Sequence, residues 1–157
     1  MASVTASLVL PAPPAEVWAV VSDVESARRW NQAWKRVEVT SDAKQGKGVR
    51  FRTHGEDNGE AFEFEVADWL PEEYISFAPI RSPDEERYEI TLDYHAFRLE
   101  EVEGGHTRVD LTAHATTRGI RGKLVGLFLW PGHQKAGLER ALRNLGAVFG
   151  LEAEEEE

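Results

Sequence analysis

Asp93, Tyr94 and His95 are three consecutive residues whose side chains can each carry a proton. On a strand, residues two apart share a face, so Asp93 and His95 would project together while Tyr94 projects oppositely. A carboxylate beside an imidazole that titrates near neutrality is a general acid–base pair, and Tyr94 is an alternative proton donor. The rest of the chain narrows the chemistry. It contains no cysteine, which excludes disulfides, thiolate nucleophiles and zinc–thiolate sites. His54, His95, His106, His114 and His133 show no i, i+4 pair and no His-Glu-x-x-His helix, so no metal centre is expected and no cofactor is implied. Gly46-Lys-Gly48 and Gly104-Gly105 read as turns with no helix behind them, unlike a phosphate loop. No Gly-x-Ser-x-Gly elbow is present.

Whether the Asp93–His95 pair could act depends on which way its strand faces. In the run Arg87 to Glu100, Tyr88, Ile90, Leu92 and Tyr94 share one parity, whereas Phe97 and Leu99 share the other. A bulge near His95 turns both apolar sets inward and leaves Asp93 and His95 outside. Without a bulge, and with Phe97 setting the parity, Asp93 and His95 point in. Four apolar residues facing water forfeit roughly 1.5–3 kcal/mol each, against several kcal/mol for a buried unpaired carboxylate, which favours the bulge.

The elements that must position these residues are legible from periodicity. Residues 3 to 10 alternate as a strand, and Pro11-Ala-Pro-Pro14 ends it with a proline suited to a helix start. Val17, Trp18, Val21 and Val24 then recur at helical spacing, and a second short helix over Ser26 to Trp34 would place Trp30 and Trp34 on one face. Six β-rich runs follow: Arg36–Ser41, Gly48–His54, Ala61–Trp69, Tyr74–Pro79, Arg87–Glu100 and Thr107–Thr116. Short polar connectors between them favour an antiparallel meander. From Gly122, Leu124, Leu127, Phe128, Leu138, Leu142, Leu145 and Phe149 mark a long amphipathic helix, with a kink or restart near Trp130 to Gly132 because of Pro131. Parity points Val37, Val39, Val49, Phe51, Phe62, Phe64, Val66, Ile75 and Phe77 inward, with Trp69 following a bulge or strand end. Val109, Leu111, Ala113 and Ala115 also face in. The two alanines leave either room for a ligand or a place where a helix approaches the sheet closely.

This order, together with Leu10-Pro-Ala-Pro-Pro-Ala-Glu-Val-Trp-Ala-Val-Val-Ser-Asp23, Arg29-Trp30, Glu103-Gly-Gly-His-Thr-Arg-Val-Asp-Leu111 and Gly137-Leu-Glu-Arg-Ala-Leu-Arg-Asn-Leu145, resembles the SRPBCC (START-like, birch-pollen-allergen-like) superfamily. Within it the chain is most similar to the polyketide cyclase/dehydrase and lipid transport group. The resemblance implies an α+β helix-grip fold over residues 1–150: a curved seven-stranded antiparallel sheet around a long C-terminal helix, with two short helices after the first strand. It also implies an internal apolar cavity. The lining expected there is Trp30, Trp34, Phe51, Phe64, Phe77, Ala113, Ala115, Phe128 and Leu138. Trp30 and Trp34 divide between core and entrance, or both pack as core. The function implied is binding or transport of a small hydrophobic molecule, a lipid, polyketide or isoprenoid-like ligand. The alternative is a cyclase, aromatase or dehydratase using an acid–base group in the cavity. Such folds host many activities, so the resemblance carries no catalytic residue with it.

Charge and length bound the partners. The 157 residues hold 28 acidic and 18 basic side chains for a net charge of −10, and Glu152 and Glu154–Glu157 contribute five of the negatives. Residues 151–157 therefore read as a solvated acidic tail. An acidic body without clustered Lys and Arg is a poor partner for nucleic acid or an anionic leaflet. Neither an apolar run long enough to span a bilayer nor a basic-then-apolar leader is visible, so a cytoplasmic protein is expected. A protein-docking role would need an exposed apolar patch, which the sequence does not display. Oligomeric state has no sequence signal.

Overall fold

The computed structural model describes residues 2–55, 61–80 and 90–151. Alternation in the first run produces β1 (Ala2–Leu10), whose buried residues recur every fourth position. The chain then turns through Pro11–Pro13 into α1 (Pro14–Val21), where Pro14 occupies the first turn and gives up no hydrogen bond the helix needs. A 3-10 helix, Val24–Arg29, follows. It stops short of the expected Ser26–Trp34 helix, so Trp30 and Trp34 lie on a turn and share no helix face. The strands are β2 (Arg36–Val39), β3 (Arg50–His54), β4 (Ala61–Leu70), β5 (Tyr74–Pro79), β6 (Ile90–Val102) and β7 (His106–Thr117). The expected residues 87–89 of the fifth run and the acidic tail beyond Leu151 lie outside the described residues.

All seven strands form one antiparallel sheet in the order β1-β7-β6-β5-β4-β3-β2. The meander runs from β2 to β7, and β1 returns to pair along β7 from Ala2 opposite Ala115 to Leu10 opposite Thr107. Thr107 Oγ1, fully buried, donates to the Ala12 carbonyl at 2.7 Å and pins the corner where β1 hands over to α1. Two bulges re-aim side chains. The register of β4 on β5 slips between Val66 and Asp68, which brings Trp69 opposite Ile75 and edge-on to Trp18 at 5.1 Å. The register of β6 on β7 slips between Leu92 and Tyr94. The α+β helix-grip architecture is thus present.

The C-terminal segment restarts at Trp130, within the expected Trp130–Gly132 stretch. α2 (Gly119–Phe128) ends at Leu129, and α3 (Trp130–Val148) begins with Pro131 in its first turn, the one place in a helix where a missing N–H and a fixed φ cost nothing. α3 buries Leu138, Leu142 and Leu145 against the sheet as its period requires. α2 is inverted relative to expectation. Its buried positions are Gly122 and Gly126, whereas Leu124, Leu127 and Phe128 point outward. A Cβ on Gly126 would lie 2.6 Å from Cγ2 of Thr117 and 3.6 Å from Cβ of Ala2, so the glycine face is the one that fits against the sheet.

Candidate functional site

Six aromatic rings fill the concave side of the sheet. Phe51, Phe64, Phe77 and Phe97 come from four adjacent strands at matching parity, and Trp30 and Trp34 descend on them from the turn after the 3-10 helix. Trp30 meets Phe97 edge-on at 4.9 Å and Trp34 at 5.5 Å, while Phe51 stacks on Phe64 at 5.5 Å. Such offset and edge-on contacts add roughly 0.5–1.5 kcal/mol per pair beyond burial. The turn is held locally: the Asn31 side chain accepts from the Ala33 amide at 3.2 Å, and Asn144 on α3 donates to the Trp30 carbonyl at 3.4 Å.

A cleft of about 190 Å³ remains between this turn and α3. One wall runs from Trp30 to Trp34. The other is a single face of α3, made by Gln134, Gly137, Leu138, Ala141 and Asn144 at steps of three and four, with Arg140 at the rim. His95 and Leu111 form the floor. Of the residues expected to line a cavity, Trp30, Trp34 and Leu138 border this one. Phe51 and Phe77 are fully buried behind it, and Phe64 lies within the same aromatic packing. Ala113 and Ala115 are also fully buried and do not border it; Ala115 sits opposite Ala2, whose Cβ lies 3.6 Å from where a Cβ on Gly126 of α2 would stand. Phe128 is corrected outright: it is 74% exposed on the outer face of α2. Phe62 shares the parity of Phe64 yet is likewise exposed.

The bulge in β6 falls at Asp93, two residues before the expected place, and it separates the candidate acid–base pair. Asp93 and Tyr94 turn to the convex face. There a carboxylate oxygen of Asp93 accepts from Thr116 Oγ1 at 2.7 Å and lies 2.9 Å from His114 Nδ1, and the His114 ring stacks flat on Tyr94 at 5.1 Å. These partners satisfy the carboxylate without exposing the apolar residues to either side. His95 turns inward between Phe77 and Ala113 and borders the cleft. Burial pushes its pKa down to about 4, so the ring is neutral at physiological pH. Among the described residues no hydrogen bond reaches it. Trp30 Nε1–H, on a residue 3% exposed, is buried and has no acceptor among the described residues. Sequence parity missed His95 as an isolated interior polar group, and it missed the amides Asn31, on the turn, and Gln134 and Asn144, whose spacing along α3 was nevertheless readable. Among the described residues, no group of three or more His, Asp or Glu is arranged to hold a metal ion.

A curved antiparallel sheet gripping a C-terminal helix, with a cleft between them, defines a helix-grip protein. The chain belongs to the polyketide cyclase / dehydrase and lipid transport family, whose model matches residues 1–150. No curated protein matches it in sequence. Solved structures share the fold at low identity. A protein from Nitrosospira multiformis superposes with a TM-score of 0.70 at 18% identity, covering 94% of this chain and 95% of that one. A Thermobifida fusca protein does so with 0.69 at 16%, covering 98% and 99%. The Aha1 dimer from Colwellia psychrerythraea gives 0.64 at 15%, covering 96% and 98%. No helix among the described residues is long and apolar enough to cross a membrane.

Proposed function

We propose that this protein binds a small, flat, mainly apolar molecule carrying a hydrogen-bond acceptor, held between the Trp30–Trp34 turn and α3. The observation that carries the reading is the cleft itself, walled by the Trp30–Trp34 turn and one face of α3 and floored by His95 and Leu111. His95, neutral and on the floor of the cleft, offers a group that can donate to or accept from such a ligand. The cleft volume is below the roughly 300–1,000 Å³ of usual ligand pockets, which suits one or two rings or the head of a longer prenyl or polyketide chain better than a whole acyl chain.

The family also includes cyclases and dehydratases, and such chemistry here would fall to His95. Its pKa of about 4 makes it a weak base at neutral pH, and Asp93 and Tyr94 stand on the other face of the sheet. The geometry therefore favours binding or carriage over turnover.

Native mass spectrometry of freshly purified protein, compared with its denatured mass, tests the reading. A mass excess lost on denaturation is expected in the wild type. Gly137→Leu, whose new side chain enters open space in the cleft, should abolish that excess while leaving the fold intact. An excess that survives in Gly137→Leu would place the ligand elsewhere and overturn the assignment.

A further inference from the structure

Among the described residues that line the cleft, Arg140 alone carries a charge, and no Asp or Glu joins it. Helical arginines are ordinarily neutralised by acids three or four residues away. Around Arg140 those positions hold Ala136, Gly137, Arg143 and Asn144. Glu139, its neighbour in sequence, is turned by about 100° around α3. Among the described residues Arg140 makes neither an ion pair nor a hydrogen bond, so its planar fork of donors is unclaimed.

Both walls of the cleft belong to cationic stretches of an otherwise acidic chain. The chain carries a net charge of −10, yet Ser26 to Val37, which includes the Trp30–Trp34 turn, holds Arg28, Arg29, Lys35 and Arg36 and no acid. α3 carries Lys135, Arg140 and Arg143 against Glu139 alone. Charge of one sign around a concave, apolar-walled site draws in the opposite ion. Amide donors stand in the same lining. Gln134 is one, and Asn31, whose side-chain oxygen already accepts from the Ala33 amide, has its NH2 left to donate. A guanidinium with nearby amide N–H groups matches the paired oxygens of a carboxylate. Arg140 is exposed, so a carboxylate meeting it stays partly hydrated and escapes most of the desolvation cost of a buried ion pair.

We propose that the cleft selects a planar apolar acid, an aromatic or conjugated carboxylate whose rings lie between the Trp30–Trp34 turn and Leu138 and whose carboxylate meets Arg140. The inference rests on the binding role proposed above and specifies the class of ligand.

Isothermal titration calorimetry of the full chain tests it with naphthalene-2-carboxylate and its neutral isostere naphthalene-2-carboxamide. The carboxylate should bind about tenfold more tightly than the carboxamide, and the preference should shrink as salt rises. Arg140→Gln should weaken carboxylate binding about tenfold and leave the carboxamide unchanged. Arg140→Lys, which keeps the charge and loses the fork, should restore part of the preference. Gly137→Leu should remove binding of both molecules, which locates them in the cleft. Equal affinities in the wild type, or a preference that survives Arg140→Gln, would overturn the anion selectivity and leave the binding role standing. Binding of both molecules that persists in Gly137→Leu, or a wild type that binds neither, would overturn the two readings together.

Discussion

Gly126 of α2 faces Thr117 at the end of β7 so closely that a Cβ on the glycine would sit 2.6 Å from the threonine methyl. Threonine is stiff at χ1 and its methyl cannot swing far. Gly126→Ala should therefore destabilise the protein by about 1–2 kcal/mol despite the better helix propensity of alanine, which alone would add roughly 1 kcal/mol. Adding Thr117→Ser, which deletes the methyl, should restore the loss. Urea melts of the single and double variants measure both effects.

His95 links stability to pH. Its folded pKa of about 4 lies below the ordinary 6.5, so between these values the unfolded chain binds more protons than the folded one. Stability should be fully present above pH 6.5 and fall as pH drops toward 4, by up to about 1.4 kcal/mol per pH unit from this group. His95→Gln should flatten that segment of the profile. A wild-type and variant profile that run parallel from pH 7 to 4 would remove His95 as the cause.

The aromatic packing beneath Trp30 should respond as a core. Phe97 is fully buried and touches both Trp30 and Phe77, so Phe97→Ala should cost about 3–5 kcal/mol. Thermal denaturation followed by near-ultraviolet circular dichroism reports this through the tryptophans themselves.

Two leucine insertions should behave oppositely. Ala113 is sealed beneath the helical layer, and Ala113→Leu should destabilise by about 1–3 kcal/mol through overpacking. Gly137→Leu, in open space on α3, should raise stability by somewhat under about 1 kcal/mol through helix propensity. Calorimetry of both variants separates filled core from empty cleft.

Much of the fold was readable because β parity is unforgiving: Phe51, Val66, Ile75, Phe77 and Val109 alternate cleanly and are all fully buried. The two bulges were legible as parity conflicts but not fully located. In β6 the slip falls where Asp93 can be satisfied by His114 and Thr116 across the strand, a cross-strand relation that no single run of sequence displays. That displacement by two residues put His95 in the cleft. Leucine periodicity does not mark the inner face of α2, where Leu124, Leu127 and Phe128 are exposed. The competing signal, Gly122 and Gly126 one turn apart, marks instead where a backbone can touch the sheet. Trp30 and Trp34 come together through an Asn31-centred turn, so their four-residue spacing mimicked a helix that ends at Arg29.

The pairing of β1 with β7 also sets the order of assembly. Val4 lies opposite Ala113 and Leu10 opposite Thr107, so the strand synthesised first finds its neighbour only after the whole meander has emerged. Contacts of such long sequence separation are entropically late. During synthesis the Ala2–Leu10 strand would wait as an unpaired edge, and its closure onto β7 would be the step that completes the sheet.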